Sequence, residues 1–155
     1  MISISEIRRS ALLSARWALV ATTIIVSFAA TAIPSPTCTG EEAIQAETQA
    51  STLKTWSALF ESYRRYSHCD HGAISEGYSN SVATLLASHW DQFGHLRALV
   101  RTDPKFESFV LHHVDETMTS EQGSAIKDNI RLSCPTKSTR LCASVMKRFA
   151  NLGFP

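Results

Sequence analysis

The chain has 155 residues, 44% of them hydrophobic, 19% charged and 8% aromatic, with 15 Lys and Arg against 14 Asp and Glu. That length supports one domain, and an apolar content near the globular average excludes both a disordered chain and a multi-span membrane protein. A net charge of +1 removes the electrostatic footprint of a nucleic-acid binder.

Arg8, Arg9 and Arg16 precede an uncharged run from Trp17 to Ala32, and the helix-breaking Pro34-Ser35-Pro36 follows. A positive start, an apolar middle and the small residues Ala30-Thr31-Ala32 read as a secretory signal peptide cut after Ala32. The run falls short of the about 20 residues that span a bilayer. The expected organisation is a signal peptide at 1–32, a linker at 33–40 and a single helical domain at 41–155. The expected location is periplasmic or secreted, with membrane contact only through the leader if it stays uncut. Removing 32 residues takes three of the 15 bases and one of the 14 acids, so the remaining 123 residues carry a net charge of −1.

Thr39-x-x-Glu42 is a capping box, in which the hydroxyl and the carboxylate satisfy each other's backbone donors. Behind it Ala46, Ala50, Leu53, Trp56, Phe60 and Tyr63 recur at spacings of three and four, predicting one helix over about 41–66. A second stripe, Ile74, Tyr78, Val82, Leu85, Leu86 and His89, runs to Trp90, with Asp70 as its cap. Gly94 marks a kink before a short helix carrying Phe93, Leu96, Leu99 and Val100. Asp103-Pro104 opens the next helix, over 104–117, with Phe106, Phe109, Val110, His113 and Val114 on one face. Thr119-x-x-Gln122 is a further capping box leading to Ile126 and Ile130. Leu141, Val145, Phe149 and Leu152 form the last stripe, which Gly153 ends. No segment alternates for long enough to be a strand. The expected fold is all-α, a compact disulfide-stabilised bundle of five to six helices.

An oxidising destination makes Cys38, Cys69, Cys134 and Cys142 disulfide candidates. A Cys134–Cys142 bond would staple a helical hairpin across Pro135-Thr136-Lys137-Ser138 and is the most economical pairing. A continuous helix over 41–66 would be about 39 Å long. Disulfide-bonded Cα atoms lie within about 7 Å, so Cys38 and Cys69 can pair only if that helix breaks. Otherwise two cysteines stay free, or Cys69 reaches Cys134 or Cys142.

Two polar clusters could carry chemistry. In His68-Cys69-Asp70-His71 the histidines are three apart, and in His112-His113-x-Asp115-Glu116 the pair His112 and Asp115 shares a helical face. A composite metal site of His68, His71, His112 and Asp115 is the metal hypothesis, and it needs the 68–71 loop and the end of the 104–117 helix at one end of the bundle. The plainer reading makes His113 a hydrogen-bonded core histidine and the 68–71 histidines solvated. Gly77 reads as a close helix–helix approach with Tyr78 in the core. No nucleophile-elbow serine and no phosphate-cradling glycine loop are present, so no catalytic residue and no cofactor are assigned. Lys137, Arg140, Lys147 and Arg148 form a basic face on the last helix, either solvated or a docking face for an acidic partner.

A small exported helical domain of this kind points to protein binding. The leader through Ala32, the helical stripes and Cys134-Pro135 with Cys142 together resemble the helical, disulfide-stapled immunity proteins that accompany secreted cell-wall amidases. That resemblance implies a periplasmic protein, able to form a homodimer, whose partner is another protein; it carries no site residues across. The alternatives are a metal-binding protein or small metal-dependent enzyme built on the histidine clusters, and an envelope structural protein with no fixed partner.

Overall fold

The computed structural model describes residues 37–153. The chain divides into two units, Met1–Ile33 and Pro34–Pro155, and the described residues belong to the second. The signal-peptide reading therefore lies outside the described residues. Among the described residues no helix is long and apolar enough to cross a membrane.

Seven α-helices and no strands occur among the described residues: α1 (Gly40–Ala50), α2 (Trp56–Tyr66), α3 (Ala73–Ser88), α4 (Phe93–Thr102), α5 (Pro104–His112), α6 (Ser120–Ser133) and α7 (Thr139–Asn151). Short 3₁₀ turns at Ser67–Cys69, Trp90–Gln92 and Thr136–Ser138 join them. The capping boxes at Thr39/Glu42 and Thr119/Gln122 form, and Asp103 caps α5 with Pro104 in its first turn.

The predicted first helix is two helices. α1 stops at Ala50, and Thr55 caps α2 by accepting the Ala58 amide at 3.2 Å. Side chains of α3 hold the break open. Ser81 donates to the Ala50 carbonyl at 2.6 Å and accepts the Leu53 amide at 3.2 Å, while Asn80 donates to the Ser51 carbonyl at 3.1 Å. Backbone groups that a continuous helix would satisfy internally are satisfied from a neighbour instead. The apolar stripe nevertheless stays buried from Ala46 through Phe60 on both sides of the break.

This break lets Cys38 and Cys69 pair, with Cα atoms 5.0 Å apart. The expectation that they would stay free or bond elsewhere is thereby corrected. Cys134–Cys142 staples α6 to α7 as the hairpin geometry suggested, at a Cα separation of 6.4 Å.

α3 is the central helix, packed against α1 and α6 and burying residues on several faces. It meets α1 at Gly77, where a Cβ would lie 2.8 Å from the Ala50 Cβ and 3.0 Å from the Ser51 amide nitrogen. Neither neighbour is a flexible side-chain tip, so Gly77→Ala must push the helices apart. We expect a loss of about 1–3 kcal/mol, read from urea unfolding. A neutral result would mean that α1 and α3 do not approach this closely.

Three further expectations shift. The turn placed at Gly94 falls at His89–Gln92, where Trp90 stacks on Phe93 with centroids 4.1 Å apart and donates its indole N–H to the Ser133 carbonyl at 3.0 Å. The helix predicted over 104–117 ends at His112, because Asp115 takes the Thr117 amide at 2.9 Å, a local turn that competes with helix. Asp70 does not cap α3. Gly72, at φ 55°, occupies that position, and Asp70 turns inward.

Candidate functional site

Three separate parts of the chain deliver polar side chains to one buried point. Asp70 comes from the turn after α2, Ser79 from α3, and His113 and Asp115 from the segment that leaves α5. His113 Nε2 lies 3.0 Å from Asp70 Oδ2, and its Nδ1 lies 3.1 Å from Ser79 Oγ. Ser79 donates to Asp115 Oδ2 at 2.6 Å, and Asp115 Oδ1 also accepts from the Thr117 amide and hydroxyl. His113 is 0% exposed and Ser79 is 1% exposed. Phe109 and Tyr78 wall the imidazole, with ring centroids 4.5 and 5.6 Å away.

Counting protons fixes the state of the ring. Ser79 has one hydroxyl proton and gives it to Asp115, so toward His113 it can only accept. Nδ1 therefore donates to Ser79, and Nε2 donates to the Asp70 carboxylate. With both carboxylates ionised, this arrangement of hydrogen bonds places a donor N–H at each ring nitrogen. Burial pushes the Asp70 carboxyl up, but the hydrogen bond and charge of His113, with Ser75 and His112 adding to them, hold the group below its ordinary 3.8. Burial works against Asp115 as well, and the hydrogen bonds from Ser79 and Thr117 bring it below the same value.

A serine, a histidine and an aspartate in line suggest a hydrolytic triad, but the proton runs the wrong way. A nucleophilic serine must hand its proton to an unprotonated ring nitrogen. Here the nitrogen facing Ser79 already carries one, and the hydroxyl proton goes to Asp115. The cluster also has no opening to solvent at its serine or its ring. What it does is tie the 67–72 turn and the end of α5 to α3.

Both carboxylates are lower in the folded chain than in the unfolded one. The stability they supply is present above the unfolded value of 3.8 and is lost as pH falls through the folded values. We expect the thermal midpoint to drop between pH 5 and 2, and Asp115→Asn, though less stable at pH 7, to show a shallower drop. Parallel curves for the two proteins would contradict this.

Of the residues nominated for a metal, only Asp115 belongs to the buried cluster. His68 pairs with Glu42 Oε2 at 3.4 Å, and His71 is exposed. His112 is exposed, with its ring 5.2 Å from that of His113. Among the described residues the one group whose ligand atoms converge within 4.8 Å is Glu42, His68 and Cys69. Cys69 is bonded to Cys38, which leaves two donors. The four nominated residues are not such a group.

The four basic residues nominated for docking also divide. Arg140 grips Glu107 with two hydrogen bonds of 2.9 and 2.6 Å, and Arg148 Nε donates to the Val114 carbonyl at 2.8 Å. Lys137 and Lys147 are exposed.

Two surface hollows are lined by arginines, and a third, of about 380 Å³, lies among Glu47, Ser51, Glu76, Gly77 and Asn80. The larger of the arginine-lined pair, about 470 Å³, lies in the corner of α1 and α2 among Gln49, Glu61, Arg64, Arg65 and Tyr66. Arg65 there lies over the Tyr66 ring, 5.2 Å from its centroid. The smaller, about 210 Å³, lies between α4 and the start of α7. Neither is lined by a residue of the His113 cluster.

Comparison with protein-family models, with curated proteins and with solved structures returned no match.

Proposed function

We propose that the protein is exported and acts by binding another protein, as an inhibitor or immunity-type protein, without catalysing a reaction itself. One observation carries this reading: the serine, histidine and carboxylates that could form a reactive set are turned inward and hydrogen-bonded to one another across three elements of the fold. Two disulfides among 117 described residues fit an oxidising destination, where such bonds persist. Binding then falls to the exposed helix faces, among them the one bearing Lys137 and Lys147.

The test starts from the full chain, expressed with its leader and recovered from the periplasm. It is immobilised, challenged with periplasmic extract, and any captured enzyme is assayed free and in complex. The reading expects a stoichiometric complex in which the captured enzyme has lost activity. Capture without loss of activity, or substrate turnover by the chain itself, would overturn it.

A further inference from the structure

We propose that the hollow between α4 and the start of α7 is a binding site for a tetrahedral oxyanion, either phosphate or a phosphate monoester. The reading stands apart from protein binding and rests on two independent observations.

The first is charge. Arg97 and Arg101 lie four residues apart on α4, so they share one face. Lys137, from the 3₁₀ turn, and Arg140, from the first turn of α7, close the hollow from the other side, with Val100 and Leu141 as its apolar part. Four cations line about 210 Å³ and no acidic side chain joins them. Among the described residues only Arg140 of the four forms an ion pair, with Glu107 outside the lining. Such a gathering repels itself unless an anion sits in it.

The second is an unanswered hydroxyl. Ser138 lines the same hollow and is 3% exposed, and its Oγ is buried with no hydrogen-bond partner. It stands at the N-cap of α7, where a serine ordinarily accepts a first-turn amide, yet it makes no capping bond. A buried hydroxyl without a partner is a cost that native structures avoid. The 13-residue α7 thus starts without a side-chain cap, its positive end bordering the cations. A bound oxyanion answers all three needs at once. It neutralises the cations, accepts the Ser138 proton and complements the helix end.

Charge and shape favour phosphate over carboxylate. Donors approach from α4, from the 3₁₀ turn and from α7. A tetrahedral dianion presents more oxygens and more charge to three directions than a planar monoanion does. The hollow has room for about seven waters at ~30 Å³ each, which suits a small anion and part of its hydration.

The experiment is a titration, at fixed ionic strength, of the protein expressed with its leader and recovered from the periplasm. It follows backbone amides by NMR, with inorganic phosphate, glycerol 3-phosphate and acetate as separate probes. The expected result is saturable shifts confined to residues around 97–101 and 137–141 with one or both phosphates, and none with acetate. The tighter of the two phosphates then tells whether the natural group is free or esterified. Ser138→Ala should weaken binding about tenfold, and Arg97→Gln with Arg101→Gln should abolish the shifts while the remaining spectrum stays folded. Acetate matching phosphate, unsaturable drift, or adsorption to phosphatidylglycerol vesicles with no response to either soluble phosphate would overturn the proposal. None of these outcomes touches the capture experiment, which reads a protein complex.

Discussion

Replacing His113 with alanine is expected to cost about 3–5 kcal/mol of stability and lower the thermal midpoint by about 10 °C or more. The His113 ring makes the 3.0 Å contact to the Asp70 carboxylate, whose side chain is only 14% exposed. Removing the ring strands that carboxylate, takes away the Nδ1–H that Ser79 Oγ accepts, and leaves a void beside Phe109 and Tyr78. The adjacent His112 is exposed, and His112→Ala should change stability by no more than about 0.5 kcal/mol. Two neighbouring histidines therefore give opposite answers in the same urea titration. Equal, small effects would mean that the cluster is not a structural pin.

The disulfides supply the second large effect. Cys38–Cys69 closes 31 residues and Cys134–Cys142 closes 8. In the chain-entropy account those loops correspond to about 3.7 and about 2.5 kcal/mol. The longer bridge has a further consequence, because it anchors the turn that carries Asp70. Cys38→Ser with Cys69→Ser should therefore lose more than Cys134→Ser with Cys142→Ser. It should also couple to His113→Ala non-additively, since both loosen the same turn. Equal losses, or the reverse order, would contradict the placement of the 38–69 bridge.

Most helices were legible because local chemistry and global packing agree. The boxes at Thr39 and Thr119, the Asp103-Pro104 start and the stripe ending at Gly153 all carry their own punctuation. The break after Ala50 was not legible. Its stabilising partners, Asn80 and Ser81, lie about thirty residues away, and the apolar spacing runs through it without interruption.

The polar cluster was half legible. The meeting of the 68–71 turn with the end of α5 follows from the topology, and His113 sits on an apolar stripe as a core histidine would. Asp70 hides as a partner of His113 because its position before the Ile74 helix reads as a cap, a place that Gly72 fills with its positive φ. Ser79 carries a signal in its surroundings. With Ile74, Tyr78, Val82, Ala83, Leu85 and Leu86 buried around it, a serine on α3 had to find a partner inside. The cationic hollow needed the structure, because Arg97 and Arg101 come from a helix with no sequence link to Lys137 and Arg140.

The serine, histidine and two carboxylates tie the 67–72 turn and the end of α5 to α3. The most direct measurement is a ¹⁵N NMR experiment on the His113 ring at neutral pH. The account predicts two ring N–H protons, both protected from solvent exchange, with Nδ1 donating to Ser79 and Nε2 to Asp70. A neutral ring with a bare nitrogen toward Ser79 would contradict it, for that is a base facing a nucleophile.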